Sequence, residues 1–335
     1  MTHRVPGGEA AALPIRVLGR SGVPVTALSF GSAAIGHLFT PVTDEQAYAT
    51  VDAAWDTGIR YFDTAPHYGA GLAERRLGRA LRTRARDSYV ISTKAGRLLE
   101  PAEPGRDGRP GHRRVWDFSA AGVRRSIEDS LARLGLDRVD IVYLHDPDDH
   151  AEQAFGEGYP ELERLRGEGV VGAIGAGMNQ AGMLTRFVRD TDVDAVLCAG
   201  RYTLLDQRAA LALLPAARER GTSVVIGGVY NSGVLADPRP GATYDYAAVP
   251  PDLLDRARRM RAVAERHGAT LRAAALAFSA APEPVASVLV GARSPGEVAD
   301  AAVQFRASVP ADLWRELRAE GLLPEDVPTP GPRGS

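Results

Sequence analysis

Lysine is almost missing from this sequence. Of 40 basic side chains in 335 residues only Lys94 is lysine; all others are arginine. Arginine stays charged at any accessible pH and needs room for a planar fork, whereas lysine is a compact ammonium whose pKa can be tuned by burial. Lys94 stands at the end of an apolar run, in Ile91-Ser92-Thr93-Lys94-Ala95-Gly96. Its retention there points to a chemical requirement, with chance survival as the alternative. Cysteine is equally scarce. Cys198 alone excludes an intramolecular disulfide and suits a reducing compartment. Neither sign of charge is in excess: a net charge of −2 leaves no electrostatic footprint for nucleic acid or an anionic membrane. No apolar run reaches transmembrane length, and Met1–Gly8 lacks the apolar core of a signal peptide. These absences lead us to expect a soluble cytoplasmic protein; a monomer or weak homo-oligomer that handles a small molecule and carries no metal is our further expectation.

What the chain does have is alternation. Short apolar runs at Ala27–Phe30, Ile59–Phe62, Tyr89–Thr93, Val139–Leu144, Val170–Ile174, Ala195–Leu197, Ser223–Ile226 and Ser287–Val290 read as eight strands. Amphipathic stretches lie between them, at Asp44–Thr57, Leu72–Arg82, Ser119–Leu134, Ala151–Arg166, Gln180–Val188, Gln207–Arg220, Asp252–His267 and Pro295–Phe305. Thr43 and Ser119 are the expected N-caps of two of these helices. Eight strand–helix units predict an α/β fold closed into a (β/α)8 TIM barrel. The Gly-x-Gly-x-x-Gly fingerprint of an open dinucleotide-binding sheet is absent after the first strand, where Gly31-Ser32-Ala33-Ala34-Ile35-Gly36 does not fit it. Residues 16–25 read as a β-hairpin about Gly19-Arg20-Ser21-Gly22, and Ala311–Leu322 as a C-terminal helical tail. One domain over residues 15–325 is expected, with flexible termini at 1–14 and 326–335. Long connections, Arg97–Asp117 and Tyr230–Pro251, follow strands and so belong over the barrel mouth.

The chemistry-bearing residues gather at the ends of three consecutive strands. Asp63 closes the second, in Tyr61-Phe62-Asp63-Thr64-Ala65-Pro66-His67-Tyr68-Gly69, and Tyr68 follows on the loop. Lys94 closes the third, and His145 the fourth, in Tyr143-Leu144-His145-Asp146-Pro147-Asp148. Neighbouring strands lie about 4.8 Å apart, so the four groups can converge. A lysine beside a phenol favours phenolate, and a carboxylate can hold that lysine charged and oriented.

With these motifs in order, the chain resembles the aldo-keto reductases over almost its whole length, including a hairpin plugging the barrel. The resemblance implies that Asp63, Tyr68, Lys94 and His145 are the catalytic tetrad. The implied reaction is hydride transfer between a nicotinamide and a carbonyl carbon, with Tyr68 moving the proton. The cofactor half departs from the commoner family pattern. Gly177 and Met178 stand where many members carry Ser-Asn, Ala199 where they carry Gln, and Gly227 where an aromatic stacks on nicotinamide. Asn179 and Tyr230, with Gly228, are the expected partial replacements. Gly291 and Arg293 suit a phosphate at a helix N-terminus. Glu297 falls where NADP-using relatives place an arginine, which implies NAD over NADP.

The motifs His145-Asp146-Pro147-Asp148, Gly175–Asn179 and Gly228–Gly233 resemble the subgroup that oxidises the C1 hemiacetal of aldoses such as L-fucose, D-arabinose or L-galactose to the lactone. His37, His67, Trp116 and Asn231 are then the expected substrate contacts, or else solvated loop residues. The alternatives are a pyridoxal 4-dehydrogenase, a general aldehyde or ketone reductase, and a cofactor-binding regulatory barrel without useful turnover.

Overall fold

The computed structural model describes residues 12–38, 40–103 and 111–331. Eight parallel strands close into a barrel: β1 (Leu28–Gly31), β2 (Tyr61–Asp63), β3 (Val90–Ala95), β4 (Val139–His145), β5 (Val171–Met178), β6 (Ala195–Ala199), β7 (Ser223–Gly227) and β8 (Val285–Gly291). Their order in the sheet is their order in the chain, with β8 returning to β1. The strands are buried on both faces, which is why they read as continuous apolar runs. Outside lies the larger core, where Phe30, Phe62, Leu144 and Ile226 meet the helices. Inside lies a smaller one, built on Tyr61, Tyr143, Leu197 and Leu289.

The hairpin Ile15–Val17 with Pro24–Thr26 is antiparallel, as expected. Leu18 and Val25 belong to the inner core, and the Gly19 N–H donates to Ser223 Oγ at the start of β7. The hairpin thus shuts the N-terminal end and leaves the strands' C-terminal ends as the open mouth. Of the predicted flexible termini, residues 1–11 and 332–335 lie outside those described.

Helices α1 (Asp44–Asp56), α2 (Leu72–Leu81) and α3 (Ala120–Leu134) follow the predicted bounds. Thr43 Oγ1 accepts from the Gln46 N–H and Ser119 Oγ from the Gly122 N–H, so both caps form as expected. Other elements differ from their predictions for identifiable reasons. The stretch predicted as one helix over 151–166 is a short helix, a π-turn over Ala154–Gly158, and α4 (Tyr159–Gly167), because Pro160 cannot donate to the turn before it. The next predicted helix forms as α5 (Ala181–Asp190). Pro215 likewise breaks the predicted 207–220 helix at Ala212, leaving α6 (Leu213–Arg220) as its long part.

The largest correction concerns the connection from β7 to β8. The predicted crossover helix, α7 (Pro251–Arg266), packs against α8 (Leu271–Ala280) and the tail helix rather than forming the main contact with β8. It is α8 that lies on β8, beside α9 (Pro295–Arg306). Leu-Arg-Ala-Ala-Ala-Leu-Ala-Phe-Ser-Ala is apolar almost all round and shows no helical stripe to read. The tail helix is α10 (Ala311–Ala319), with Trp314 buried and its ring 6.3 Å from Phe278. Both long connections carry structure. Arg97–Ala102 pairs with Gly111–Trp116 as an antiparallel ribbon, and Thr243–Tyr244 pairs with Ala247–Ala248.

Candidate active site

A strand points alternate residues to one side, so residues two apart share a face. β2, β3 and β4 each carry such a polar pair, Tyr61 with Asp63, Ser92 with Lys94, Tyr143 with His145, and all but His145 join one hydrogen-bonded group. All six side chains are buried. Lys94 Nζ donates to Asp63 Oδ2 at 2.6 Å and to the Thr64 carbonyl at 2.9 Å. Ser92 Oγ donates to Asp63 Oδ1 at 2.7 Å, so both carboxylate oxygens are engaged.

Tyr68 arrives from the turn after β2. Gly69 has φ +62°, and a Cβ there would come within 2.4 Å of the Gly36 carbonyl oxygen, so only glycine lets the turn fold back this tightly. The Tyr68 ring centroid is 4.8 Å from Lys94 Nζ and 5.9 Å from the His145 ring, which it meets edge-on. The four predicted catalytic side chains therefore form one cluster at the mouth.

The charges in this cluster are set by competition between burial and neighbours. Burial works to lower the Lys94 ammonium, but Asp63 and Tyr68 together raise it above its ordinary value. Burial pushes the half-buried Tyr68 phenol up to about 12, against the downward pull of Lys94. The lysine does favour phenolate, as expected, but in this site burial outweighs it. His145 is held well below the usual histidine range by burial and by Lys94, Arg97 and His67, so it is a neutral imidazole. Its Nδ1 is buried without a hydrogen-bond partner. His67, 5.9 Å away in a second edge-on contact, is lowered to about 4 by burial, Arg97 and Arg114.

On one side of the cluster a polar cleft of about 420 Å³ opens, lined by Arg97, Trp116, Asp146, Asp148 and Asn179 among others. Asp146 has φ +45°, an uncommon conformation for a residue other than glycine. Its Oδ2 lies 3.7 Å from His145 Nε2 and 2.5 Å from Arg97 Nη1. The Arg97 guanidinium also sits 5.0 Å from the Trp116 ring, which stacks on His150. Asn179, predicted as a cofactor residue, and Trp116, predicted as a substrate residue, thus line the same cleft.

On the other side the strand ends are bare. A Cβ on Gly177 would meet Leu197 at 3.4 Å and Lys94 Cε at 3.8 Å, one on Gly227 would meet Leu197 and Leu289, and one on Gly31 would meet Leu289. The result is an apolar floor of two leucines beside Lys94, cleared of side chains at three strand ends. The absence of side chains at Gly177 and Gly227 suits a nicotinamide, which these two residues and the leucine floor would hold and which would supply hydride exchange with a carbonyl carbon.

The remaining predicted cofactor residues lie apart from this floor. Gly228 turns the chain after β7 with φ +63°. Tyr230 packs against the outer core, and its buried hydroxyl is raised by burial and by Asp300 on α9. Gly291 is exposed at the end of β8. Arg293 and Glu297 bind each other: the Arg293 N–H and Nε both donate to the Glu297 carboxylate at 2.9 Å. Two predicted substrate residues have structural duties. His37 Nδ1 accepts from the Val42 N–H, closing its loop. Asn231 is 2% exposed and donates to the Gly200 carbonyl.

Sequence reasoning did not assign Ser92, Tyr61, Tyr143, Arg97 or Asp146 to the site. A signal for the first three was present: polar residues two positions before Asp63, Lys94 and His145 on largely apolar strands. Arg97 carried none, because its place beside Asp146 depends on the register in which β3 pairs with β4, Ala95 against Leu144.

Comparison with known proteins agrees with this geometry. The pattern of the Aldo/keto reductase family matches residues 27–319. The chain is 45% identical over 320 residues to a D-threo-aldose 1-dehydrogenase from a Pseudomonas species, covering 91% of this chain and 96% of that protein. It is 40% identical to a pyridoxal 4-dehydrogenase from Microbacterium luteolum, covering 92% and 97%. An aldo-keto reductase from Bacillus halodurans, solved in its holo form, superposes with a TM-score of 0.73 at 26% identity, covering 92% of this chain and 96% of that one. With its barrel, its Asp–Tyr–Lys–His cluster and these similarities, the chain belongs to the aldo/keto reductase family of oxidoreductases.

Proposed function

We propose that this protein oxidises the C1 hemiacetal of an aldose, of the L-fucose, D-arabinose or L-galactose type, to the lactone. The observation that carries the reading is the polar cleft beside His145, where the Asp146–Arg97 pair presents acceptors and donors suited to sugar hydroxyls. The similarity to a D-threo-aldose 1-dehydrogenase points the same way. Hydride exchange at C1 is the chemistry that a bound nicotinamide would supply. The C1 hydroxyl gives its proton to Tyr68 Oη, and the C1–O bond becomes a carbonyl. Lys94 stabilises the phenolate that accepts this proton, and Asp63 holds Lys94 in place. Neutral His145 orients the same oxygen by hydrogen bonding. A pyridoxal hemiacetal is the second reading, favoured by the exposed Trp116 ring at the cleft and by the 40% identical relative. Initial rates of cofactor reduction on L-fucose, D-arabinose, L-galactose and pyridoxal decide between them. Faster turnover of pyridoxal than of any aldose refutes the first.

NAD is the proposed cofactor. Arg293 donates once to each Glu297 oxygen, which withholds that guanidinium from a 2′-phosphate, and the carboxylate's remaining lone pairs can accept from a ribose diol. The wild type is expected to favour NAD in kcat/KM, and Glu297→Arg to move the ratio toward NADP. A wild-type preference for NADP sinks the assignment.

A further inference from the structure

Below Asp63 the barrel interior holds hydroxyls where aliphatic side chains would suffice. Ser92 Oγ lies 3.2 Å from Tyr61 Oη, and Tyr61 Oη 3.2 Å from Tyr143 Oη. All three residues are fully buried, so no water competes for these contacts. Counting protons gives the contacts a direction. Asp63, paired with the Lys94 ammonium, is an acceptor only. Ser92 has one hydrogen, and the short contact to Asp63 Oδ1 uses it. Tyr61 must then donate to Ser92, and Tyr143 to Tyr61.

We propose that Tyr143, Tyr61 and Ser92 form a one-way hydrogen-bond chain that positions Asp63, spreads its charge and thereby sets the proton affinity of Tyr68. Each hydroxyl polarises the next toward the carboxylate. A carboxylate whose charge is partly drawn into the chain opposes Lys94 less, so more of the ammonium's field reaches Tyr68. The groups that act electrostatically on Tyr68 include Lys94 and Asp63 from the barrel, Tyr246 from the short ribbon and Arg97. The His145 ring faces it edge-on, with the Asp146–Arg97 pair behind that ring. Of these groups only Asp63 is hydrogen-bonded to the chain. Ser92, Tyr61 and Tyr143 are positioning residues, since they act on the reacting proton through Asp63 and Lys94. The inference rests on the reading of Tyr68 as the proton-exchanging group.

The test is the pH dependence of kcat in the oxidative direction, with saturating nicotinamide cofactor and whichever hemiacetal or alcohol the wild type turns over. A hydrogen bond to a charged group is worth about 1.5 kcal/mol, or about one pH unit. That is the effect at Asp63, and only part of it passes through Lys94 to Tyr68, so Ser92→Ala is expected to move the limb on which oxidation rises with pH upward by about half a unit. Tyr61→Phe is expected to move it the same way by roughly a third as much, since only the cooperative part is lost. Ser92→Thr, which keeps the hydroxyl, returns the limb to the wild-type position. If Ser92→Ala fails to fold, Tyr61→Phe, which removes one oxygen, carries the test. Tyr68→Phe is the control. If it keeps its activity, the role of Tyr68 and the chain fall together. If it is inactive while neither Ser92→Ala nor Tyr61→Phe moves the limb, the chain alone is overturned.

Discussion

Removing the ammonium of Lys94 strands a carboxylate in the barrel interior. Lys94 and Asp63 side chains are 2% and 1% exposed, and their charged atoms lie 2.6 Å apart. In Lys94→Met the volume is nearly kept, but Asp63 retains only the Ser92 hydroxyl and the Thr64 carbonyl loses its donor. Breaking a buried pair from one side costs about 3–5 kcal/mol, because a buried charge is left uncompensated. Asp63→Asn strands the ammonium instead and is expected to cost a similar amount. In the double variant Asp63→Asn/Lys94→Met neither charge remains, and the loss falls to about 1–2 kcal/mol, chiefly unmade hydrogen bonds. The two single effects are therefore strongly non-additive, with a coupling of several kcal/mol on the order of the single losses. Urea unfolding, read as the free energy of the first transition, measures all four proteins. Turnover stays lost in the double variant, because no cation stands beside Tyr68. Additive single effects, or a Lys94→Met loss below about 1 kcal/mol, would refute the view of the pair as buried and mutually dependent.

Tyr68→Phe is expected to keep the fold and cofactor affinity and lose about 10²–10⁴-fold in kcat; a variant with more than a tenth of wild-type rate shows that Tyr68 is not the proton acceptor. Because burial holds the Tyr68 phenol near 12, oxidation needs a form that is scarce at neutral pH and its rate rises with pH, while reduction, which uses the abundant phenol, stays flat. His145 lies well below the usual range and His67 near 4, so an inflection between pH 6 and 7 in either direction contradicts the charge states described. Gly78→Ala places a Cβ 2.0 Å from the Leu134 carbonyl oxygen, where α2 meets the end of α3. A loss of about 1–3 kcal/mol is expected in thermal or urea melts with kcat unchanged, and an unaltered melt disproves the tight approach.

The site was legible to different depths. Asp63, Tyr68, Lys94 and His145 could be found because each ends or follows an apolar run, and strand ends of a parallel barrel share one mouth. The residues that tune them were harder to find. Asp146 was part of a motif, yet its contact with Arg97 spans 49 positions and follows from the register of β3 on β4, which pairs Ala95 with Leu144 and so sets Arg97 beside Asp146. Tyr230 and Asn231 sit in a loop that looked available to a ligand, but one side chain packs into the outer core and the other is buried against Gly200.

The amino-acid sequence by itself determined the alternation of strands and helices, the barrel, the hairpin, two helix caps and the identity of the four clustered side chains. These follow from local periodicity, capping chemistry and the placement of strand ends. Tertiary structure alone decided the rest. It extended β5 through Gly175 and Gly177, residues that weaken an isolated strand, because a Cβ on Gly175 would lie 1.8 Å from the Ala195 carbonyl oxygen. It gave the β8 crossover to an alanine-rich helix with no readable stripe, since a helix buried nearly all round needs none. It also turned three hydroxyls on separate strands into a single chain beneath Asp63. Their distances depend on how the closed barrel staggers β2, β3 and β4, and that register belongs to the whole sheet.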